Sequence, residues 1–177
     1  MRIVSGKYGG RRLNPPANLP VRPTTDIAKE GLFNILNNIV DFEGLFVLDL
    51  FAGTGSISFE FISRGAKEAT AIDKDSKCVS FIIKTSQDFK IENLRAYRSD
   101  VFSYIKHSMK KYNLIFADPP YDLNSLAEIP DKVFENEILR PDGILIIEHP
   151  RNYDFSKHPK FSQHRNYGKV NFSFFTT

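Results

Sequence analysis

The stretch VLDLFAGTGS, residues 47–56, decides the fold class of this chain. It predicts a short apolar strand that enters a turn with two glycines, Gly53 and Gly55, and continues into a helix. This geometry brings backbone close to a nucleotide-like ligand. Strand-like and helix-like segments alternate after this stretch, which predicts an α/β fold with a mostly parallel sheet and helices on both faces.

The bounds of the other elements follow from apolar periodicity and from capping residues. Predicted strands cover Leu45 to Leu50, Ala69 to Ile72, Arg95 to Arg98, Asn113 to Ala117 and Ile144 to Glu148. The first predicted helix follows the caps Thr24, Thr25 and Asp26 and has the apolar face Ala28, Leu32, Ile35, Leu36 and Ile39. A second helix follows Gly55, and a third follows the caps Asp75 and Ser76. The last two cover Val101 to Met109 and Leu126 to Leu139. Alternating aromatic residues from Phe161 to Phe174, around Tyr167–Gly168, predict a final antiparallel hairpin.

Asp49, at the end of the first strand, indicates which ligand the glycine turn receives. A carboxylate there repels a pyrophosphate but attracts a ligand that carries an ammonium and a sulfonium group, and S-adenosylmethionine carries both. The third position of the dinucleotide fingerprint is Ser58 instead of glycine. The motif therefore favours S-adenosylmethionine, with a dinucleotide site or a purely structural turn as the alternatives.

Two further acidic residues follow the next two strands. Asp73 is placed to accept hydrogen bonds from both hydroxyls of a ribose. Because Asp75 and Ser76 are better placed to cap the following helix, we expect Asp73 to be free for the cofactor. Asp100 is placed either to accept a hydrogen bond from the adenine amine or to cap the helix that begins at Val101.

The tetrapeptide DPPY, residues 118–121, follows the fourth strand and predicts the reaction. The double proline ends the strand and fixes a stiff, extended turn. If Asp118 and the carbonyl of Pro119 each accept one N–H of a base amine, the nitrogen becomes more tetrahedral and its lone pair points at the methyl group. Tyr121 would stack on the unpaired base. A proline turn with a solvent-facing carboxylate is the structural alternative.

The first 22 residues contain five basic residues and no Asp or Glu. The segment SGKYGGRRL, residues 5–13, predicts a short basic hairpin. Such a local excess of positive charge is typical of a surface that meets phosphates, and an ordinary solvated terminus is the alternative. We therefore divide the chain into an N-terminal basic extension, residues 1–23, and a catalytic domain, residues 24–177.

Several classes of protein are excluded or disfavoured by residue content. Cys78 is the only cysteine, so neither an internal disulfide nor a thiolate zinc site forms. No histidine has metal-ligand spacing with a partner, and we expect no metal cofactor; His149 either borders the site or is structural. No phosphate-binding Gly-Lys-Ser/Thr loop or Ser-His-Asp series is present. No signal peptide or membrane span is predicted, and we expect a cytoplasmic monomer.

Together these motifs resemble the bacterial methyltransferases that modify a guanine N2 amine in small-subunit (16S) ribosomal RNA. The glycine turn is shared with very many methyltransferases, and DPPY with enzymes that act on base amines of DNA or RNA. Residues 22–26 and the preceding hairpin point to the ribosomal group. The resemblance runs over RIVSGKYGGRRL (2–13), RPTTDIAKEGLFNIL (22–36), VLDLFAGTGSISFEFISRGA (47–66), AIDKD (71–75), FADPPYD (116–122) and YGKVNFSFF (167–175).

The resemblance implies a class I, Rossmann-like methyltransferase fold, with a seven-stranded sheet whose last strand is antiparallel. S-adenosylmethionine would be the methyl donor and S-adenosylhomocysteine the product. The RNA substrate would be small-subunit ribosomal RNA or an assembling small subunit. The tail departs from the family in its short length and in Arg165–Asn166, where a second Arg is frequent. The implied residues are Asp49, Phe51, Gly53, Gly55, Asp73, Lys74, Asp100 and Val101 for the cofactor, Asp118, Pro119, Pro120 and Tyr121 for the target amine, and Lys7, Arg11, Arg12 and Arg22 for the RNA backbone.

Three rival functions stay open from the sequence. An adenine-N6 methyltransferase acting on DNA or RNA shares the chemistry and the tetrapeptide, although such enzymes usually carry an added module that reads sequence. A non-catalytic RNA-binding homologue would have no need of Asp49, Asp118 and Tyr121. A nicotinamide-dependent oxidoreductase is disfavoured by Asp49 and Ser58.

Overall fold

The computed structural model describes residues 1–21 and 26–177. The described helices are α1 (Asp26–Leu36), α2 (Ser56–Ser63), α3 (Ser76–Phe89), α4 (Val101–His107) and α5 (Ile129–Glu135), with a 3-10 turn at Leu126–Glu128. The described strands are β1 (Phe46–Leu50), β2 (Glu68–Asp73), β3 (Leu94–Arg98), β4 (Tyr112–Ala117), β5 (Leu139–His149), β6 (Phe161–Tyr167) and β7 (Val170–Thr176). These seven described strands form one sheet in the order β3-β2-β1-β4-β5-β7-β6.

The predicted Rossmann-like fold is confirmed. Strands β1 to β5 are parallel, and β7 is antiparallel both to β5 and to β6. The last strand of the chain is therefore inserted between β5 and β6, which is the predicted antiparallel final hairpin.

Helices cover both faces of the sheet, and each face has its own apolar layer. Successive residues of β1 alternate between the layers, so that Val47 packs with α1, α2 and α3 while Leu48 packs with α4 and α5. On the first face the rings of Phe33 and Phe61 meet edge to face at 4.8 Å between centroids. The second layer contains Ile105 of α4. Burial of both strand faces explains why the central strands are mostly apolar.

Three predicted helix bounds are wrong. The helix α1 ends at Leu36, and Ile39 lies beyond it with 44% of its surface exposed. The helix α4 ends at His107, and Met109 is 98% exposed. The segment predicted as one helix up to Leu139 is a 3-10 turn followed by the shorter α5. Apolar residues outside these helices extended the periodicity beyond the true ends.

The strand β5 begins five residues earlier than predicted, because its register with β4 is interrupted. Tyr112 of β4 pairs with Leu139, while Leu114 pairs with Ile144. The intervening Pro141–Gly143 segment contains Asp142 at a positive φ of 60°. A loop of this kind bulges out of the sheet without ending the strand. The proposed caps Thr24 and Thr25 lie outside the described residues, as does Arg22.

The predicted N-terminal hairpin is present, and it packs on the sheet domain. Arg2 and Arg12 form an antiparallel bridge, and the amide of Ile3 donates to the carbonyl of Arg11 at 2.9 Å. Three hairpin side chains, Ile3, Tyr8 and Leu13, are buried in the same apolar layer as α1 and α2. This burial gives the hairpin a fixed place beside the sheet.

The helix α1 also contacts the C-terminal hairpin, through a close approach at Gly31. A Cβ atom placed on Gly31 would lie 2.7 Å from Cδ1 of the Tyr167 ring and 2.9 Å from Cγ. Distances of this kind are below van der Waals contact, so the absence of a side chain at Gly31 lets the ring rest on the helix backbone.

We expect Gly31→Ala to lower the free energy of unfolding by about 1 kcal/mol. The overlap with Tyr167 costs roughly 1–3 kcal/mol, which outweighs the roughly 1 kcal/mol that alanine gains over glycine inside a helix. Urea unfolding measures the change, with Asn34→Ala on the exposed face of α1 as the control. In a Tyr167→Ala background the sign should reverse, and an equal loss in both backgrounds would disprove the contact.

Candidate functional site

The candidate site lies at the point in the sheet where the strand order reverses, between β1 and β4. Strand β1 is flanked by β2 on one side and β4 on the other, so the loops after β1 and β4 diverge at the carboxyl edge. Open α/β sheets bind ligands at such a switch point. The amide of Asp118 lies 3.4 Å from the carbonyl of Leu50, which joins the two loops at the start of their divergence.

The glycine turn after β1 has an unusual backbone. Phe51, Gly53 and Gly55 all have positive φ, at 63°, 54° and 72°. Gly55 precedes α2 directly, and a Cβ atom there would lie 2.9 Å from Cγ1 of Ile82 on α3. Only a glycine combines this dihedral angle with this close approach at low cost. At Gly53 and Gly55 the turn therefore places backbone without side chains at the carboxyl edge of β1.

Asp49 is buried beneath this turn. Its Oδ2 accepts a hydrogen bond from the hydroxyl of Ser58 at 2.6 Å and another from the amide of Ser58 at 3.2 Å. Burial raises the pKa of Asp49 to about 7, against the lowering effect of Ser58, and the negative charges of Asp118 and Asp73 add to the rise. The site therefore concentrates negative potential at Asp49. Ser58 is a site residue that the sequence analysis used only as a departure from a fingerprint.

As predicted, Asp73 does not cap α3, but its carboxylate contacts backbone amides on both sides. Its Oδ2 accepts from the amide of Gly53 at 2.8 Å, and its Oδ1 accepts from the amide of Asp75 at 2.8 Å. Asp75 caps α3 as predicted, by accepting from the amides of Lys77 and Cys78. Each carboxylate oxygen has a second lone pair, so Asp73 can hold the glycine turn in place and still accept a hydrogen bond from a ligand.

Asp100 is the N-cap of α4, which confirms the capping alternative for that residue. Its Oδ1 accepts from the amide of Ser103 at 2.8 Å. Among the other residues predicted to bind the cofactor, Phe51 is half-buried, Lys74 is exposed, and Val101 is buried in the second apolar layer. The structure thus brings Phe51, Lys74 and Asp100 to the same edge of the sheet, with the side chain of Val101 packed below.

The DPPY turn lies beside Asp49, whose pKa is raised in part by the charge of Asp118. Asp118 is half-buried, Pro119 is buried and Pro120 is exposed. The amide of Leu123 donates to the carbonyl of Pro120 at 2.9 Å. The last residue of the tetrapeptide, Tyr121, is 39% exposed. The turn therefore has a packed base and presents an aromatic ring to solvent.

Glu148 at the end of β5 is a further acidic residue at this edge, which the sequence analysis did not select. The hydroxyl of Tyr121 lies 3.5 Å from its Oε1, and the Glu148 side chain is buried. Alternation along β1, β4 and β5 places Asp49, Asp118 and Glu148 on the same face of the sheet, because Val47, Phe116 and Ile146 share one apolar layer. An acidic residue directly after the apolar run of residues 144–147 was the available signal.

His149 is structural. Its Nε2 is 2.8 Å from the hydroxyl of Ser173, and its Nδ1 is 2.9 Å from the carbonyl of Pro150. Burial lowers the pKa of His149, and its ring packs against Tyr153 and Phe155. These contacts hold β7 against β5, and they direct the imidazole to the face opposite the acidic residues.

The basic residues of the extension lie on its surface. Lys7, Arg11 and Arg12 are exposed, and Arg22 lies outside the described residues. Within residues 1–21 and 26–177, no group of three or more His, Cys, Asp or Glu side chains is arranged to hold a metal ion. In the same ranges no helix is long and apolar enough to cross a membrane.

The fold and the switch-point site define a protein of the Rossmann-like methyltransferase class. Residues 1–176 match the family described as conserved hypothetical protein 95, and the chain belongs to that family. The ribosomal RNA small subunit methyltransferase D of Escherichia coli K12 is 34% identical over 149 residues, covering 84% of this chain and 74% of that protein. The predicted resemblance is confirmed at this level.

Solved structures show the same fold. A hypothetical protein of Thermus thermophilus superposes with a TM-score of 0.86 at 25% identity, covering 100% of this chain and 99% of that chain. A 16S rRNA N2 methyltransferase of the same species, solved with AdoMet and guanosine, superposes with a TM-score of 0.70 at 18% identity. That match covers 89% of this chain and 44% of the other, and it concerns the fold alone.

The raised pKa of Asp49, about 7, predicts a specific pH dependence of stability. Between about pH 4 and pH 7 the folded protein keeps a proton on Asp49 that the unfolded chain has released. Stability therefore falls as pH rises through this range, by up to about 1.4 kcal/mol per pH unit. Asp49→Asn should remove this contribution. The measurement is urea unfolding at pH 5 and pH 7 for both proteins, with the exposed Asp142→Asn as control; equal pH slopes for the wild type and Asp49→Asn would contradict it.

Proposed function

We propose that this protein transfers the methyl group of S-adenosylmethionine to the exocyclic N2 amine of a guanine in small-subunit ribosomal RNA. The observation that carries the proposal is the position of Asp118 and Pro119 on a rigid turn directly beside the buried, acidic end of β1. The name of the Escherichia coli relative agrees with the RNA substrate.

The charge of the site fits this cofactor. Asp49, Asp73 and Asp118 lie close enough that the latter two raise the pKa of the first, so that a cation placed among them would be attracted. S-adenosylmethionine carries an ammonium and a sulfonium, whereas a nicotinamide dinucleotide would bring its pyrophosphate to the same acidic turn. We assign Asp49 to the methionine moiety and the remaining acceptor capacity of Asp73 to the ribose hydroxyls. A further aspartate at this edge, Asp100, is assigned to the adenine amine through the oxygen that does not cap α4.

The chain's own residues prepare the acceptor nitrogen. The lone pair of a base amine is delocalised into the ring, so the free amine is a weak nucleophile. Asp118 and the carbonyl of Pro119 accept its two N–H groups, which draws the nitrogen toward a tetrahedral shape and directs the lone pair to the donor. Bound S-adenosylmethionine would supply the electrophilic methyl group, with S-adenosylhomocysteine as the leaving group. Asp118 then accepts the proton that the methylated nitrogen releases.

Tyr121 holds the target base. Its partly exposed ring offers a face on which a base taken out of its helix stacks, and its hydroxyl lies within 3.5 Å of the buried Glu148. Residues 24–177 carry the chemistry, and we propose that the protein acts as a monomer on ribosomal RNA or on an assembling small subunit. The RNA backbone is contacted by the basic residues of the extension, residues 1–23, which are Lys7, Arg11, Arg12 and Arg22.

The first test is to identify the methylated nucleoside. Small ribosomal subunits from a strain that lacks the gene are incubated with labelled S-adenosylmethionine, and the digested RNA is examined by mass spectrometry. Asp118→Ala should reduce turnover by at least about 10³-fold, because it removes one acceptor of the reacting amine, while cofactor affinity stays nearly unchanged. Asp122→Ala, four positions along the same turn, is the matched control.

The outcomes separate the rivals. Labelled N2-methylguanosine supports the proposal, whereas label in N6-methyladenosine keeps the mechanism and replaces the target. RNA binding without label in any nucleoside supports a non-catalytic homologue. Normal methylation by Asp118→Ala would disprove the role given to that carboxylate.

A second prediction concerns stacking. Tyr121→Phe should keep most of the activity because it retains the ring, whereas Tyr121→Ala should raise KM for RNA by roughly 5- to 150-fold, the equivalent of about 1–3 kcal/mol of stacking. Steady-state kinetics on the same subunits measure both variants. Equal losses for the two variants would instead assign the contribution to the hydroxyl and Glu148.

A further inference from the structure

A groove of about 640 Å³ separates the N-terminal segment from α3. Arg12, Asn14 and Asn18 line it on one side, and Lys77 and Lys84 of α3 line it on the other. Neither lysine was selected from the sequence, because only the caps of helix α3 were considered there.

The groove carries an excess of positive charge. Arg12, Lys77 and Lys84 face a single carboxylate, that of Asp88. Within the described residues, none of these three cations forms an ion pair. Lys77 and Lys84 are seven positions apart, which is about two helical turns, so they lie on one face of α3 at a spacing of about 10 Å along the axis.

The wall opposite α3 is held in place by Arg11. Its Nη1 donates to the carbonyl of Phe89 at 3.3 Å, and its guanidinium lies 5.2 Å from the ring of Tyr8 and 5.0 Å from the ring of Phe89. Arg11 therefore ties the hairpin to the end of α3. This contact fixes the width of the groove and makes Arg12 the hairpin cation that lines it.

A second groove of similar size has no such excess. It lies between α4 and α5, has a volume of about 650 Å³, and contains Lys106 and Lys132 together with Glu128 and Glu135. Lys132 pairs with Glu135 at 2.9 Å. The comparison shows that positive charge is a property of the α3 groove and not of every groove on this surface.

We infer that the α3 groove binds a single-stranded segment of the RNA next to the target nucleotide. The inference rests on the proposed RNA substrate. Lys77 is in the first turn of α3, two residues after Asp75 and four after Asp73, so the groove opens at the same edge of the sheet as the candidate site. The cations follow the phosphates, and Phe81, half-buried in the groove, offers a ring for an unpaired base. Positive grooves that contain aromatic rings are typical of single-strand binding.

The test uses the full-length double variant Lys77→Ala/Lys84→Ala. The control is Lys106→Ala/Lys111→Ala, which removes two exposed lysines outside the groove. Affinity for an unmodified small-subunit rRNA transcript is measured by fluorescence anisotropy at several salt concentrations. Methyl transfer and cofactor affinity are measured separately.

We expect the groove variant to bind the transcript about tenfold more weakly, with a salt slope that is smaller by about 1.4, since each phosphate contact on a single strand contributes roughly 0.7. KM for RNA should rise, and the affinity for S-adenosylmethionine should match that of the wild type. The control should retain the wild-type affinity and slope.

Other outcomes overturn the inference or the proposed function separately. If the groove variant keeps its affinity and salt slope while the wild type methylates RNA, only the inference about the groove is overturned. A loss of affinity for assembled subunits but not for naked RNA overturns it in favour of a protein contact. If the wild-type protein binds RNA through the groove but methylates no nucleoside, the proposed function is overturned and the inference about the groove stands. A wild type that does not bind RNA overturns both.

Discussion

The buried carboxylate of Glu60 joins three segments of the chain, and the placement of the whole N-terminal region depends on it. Oε2 accepts from the amide of Val4 at 2.7 Å, and Oε1 accepts from the amide of Ser5 at 3.0 Å and from Nε of Arg64 at 2.9 Å. Lys29 of α1, also fully buried, lies 3.8 Å from Oε2. A carboxylate without solvent is tolerated only when its acceptor sites are filled, so these partners must assemble together.

The same helix connects this cluster to the cofactor turn. All eight residues of α2 are buried, which is expected for a helix covered by the sheet on one side and by the hairpin and α1 on the other. Ser58 binds Asp49, while Lys29 donates to the hydroxyl of Ser56 at 3.1 Å at the first residue of α2. The hairpin that is proposed to meet RNA and the turn that is proposed to hold the cofactor therefore share one rigid element. Their relative position is set by internal contacts before any ligand binds.

Local signals in the sequence predicted the fold and the composition of the site, whereas the long-range polar contacts were not predictable. Asp49, Asp73 and Asp118 could be selected because each lies at the carboxyl end of a mostly apolar strand, and parallel strands bring these ends to one edge. Lys29 and Glu60 look like solvent-facing charges in sequence, yet they lie 31 positions apart in one buried pair. Asp73 also uses hydrogen-bonding capacity on the glycine turn. Such contacts depend on how the hairpin packs and how the strands pair. The hydrophobic periodicity within a single helix or strand carries no information about either.

Asp49, Asp73 and Asp118 at this edge of the sheet favour ligands that carry a positive charge. Burying Asp49 near Asp73 and Asp118 destabilises the ionised form of Asp49, as its raised pKa of about 7 indicates. A cationic ligand offsets that repulsion, and a neutral or anionic one does not. Because Ser58 holds the Asp49 carboxylate in one orientation from within a buried helix, the side chain has little freedom to turn away from its neighbours. The raised pKa of Asp49 and the attraction of these carboxylates for a positive charge are thus two consequences of the same arrangement of strand ends.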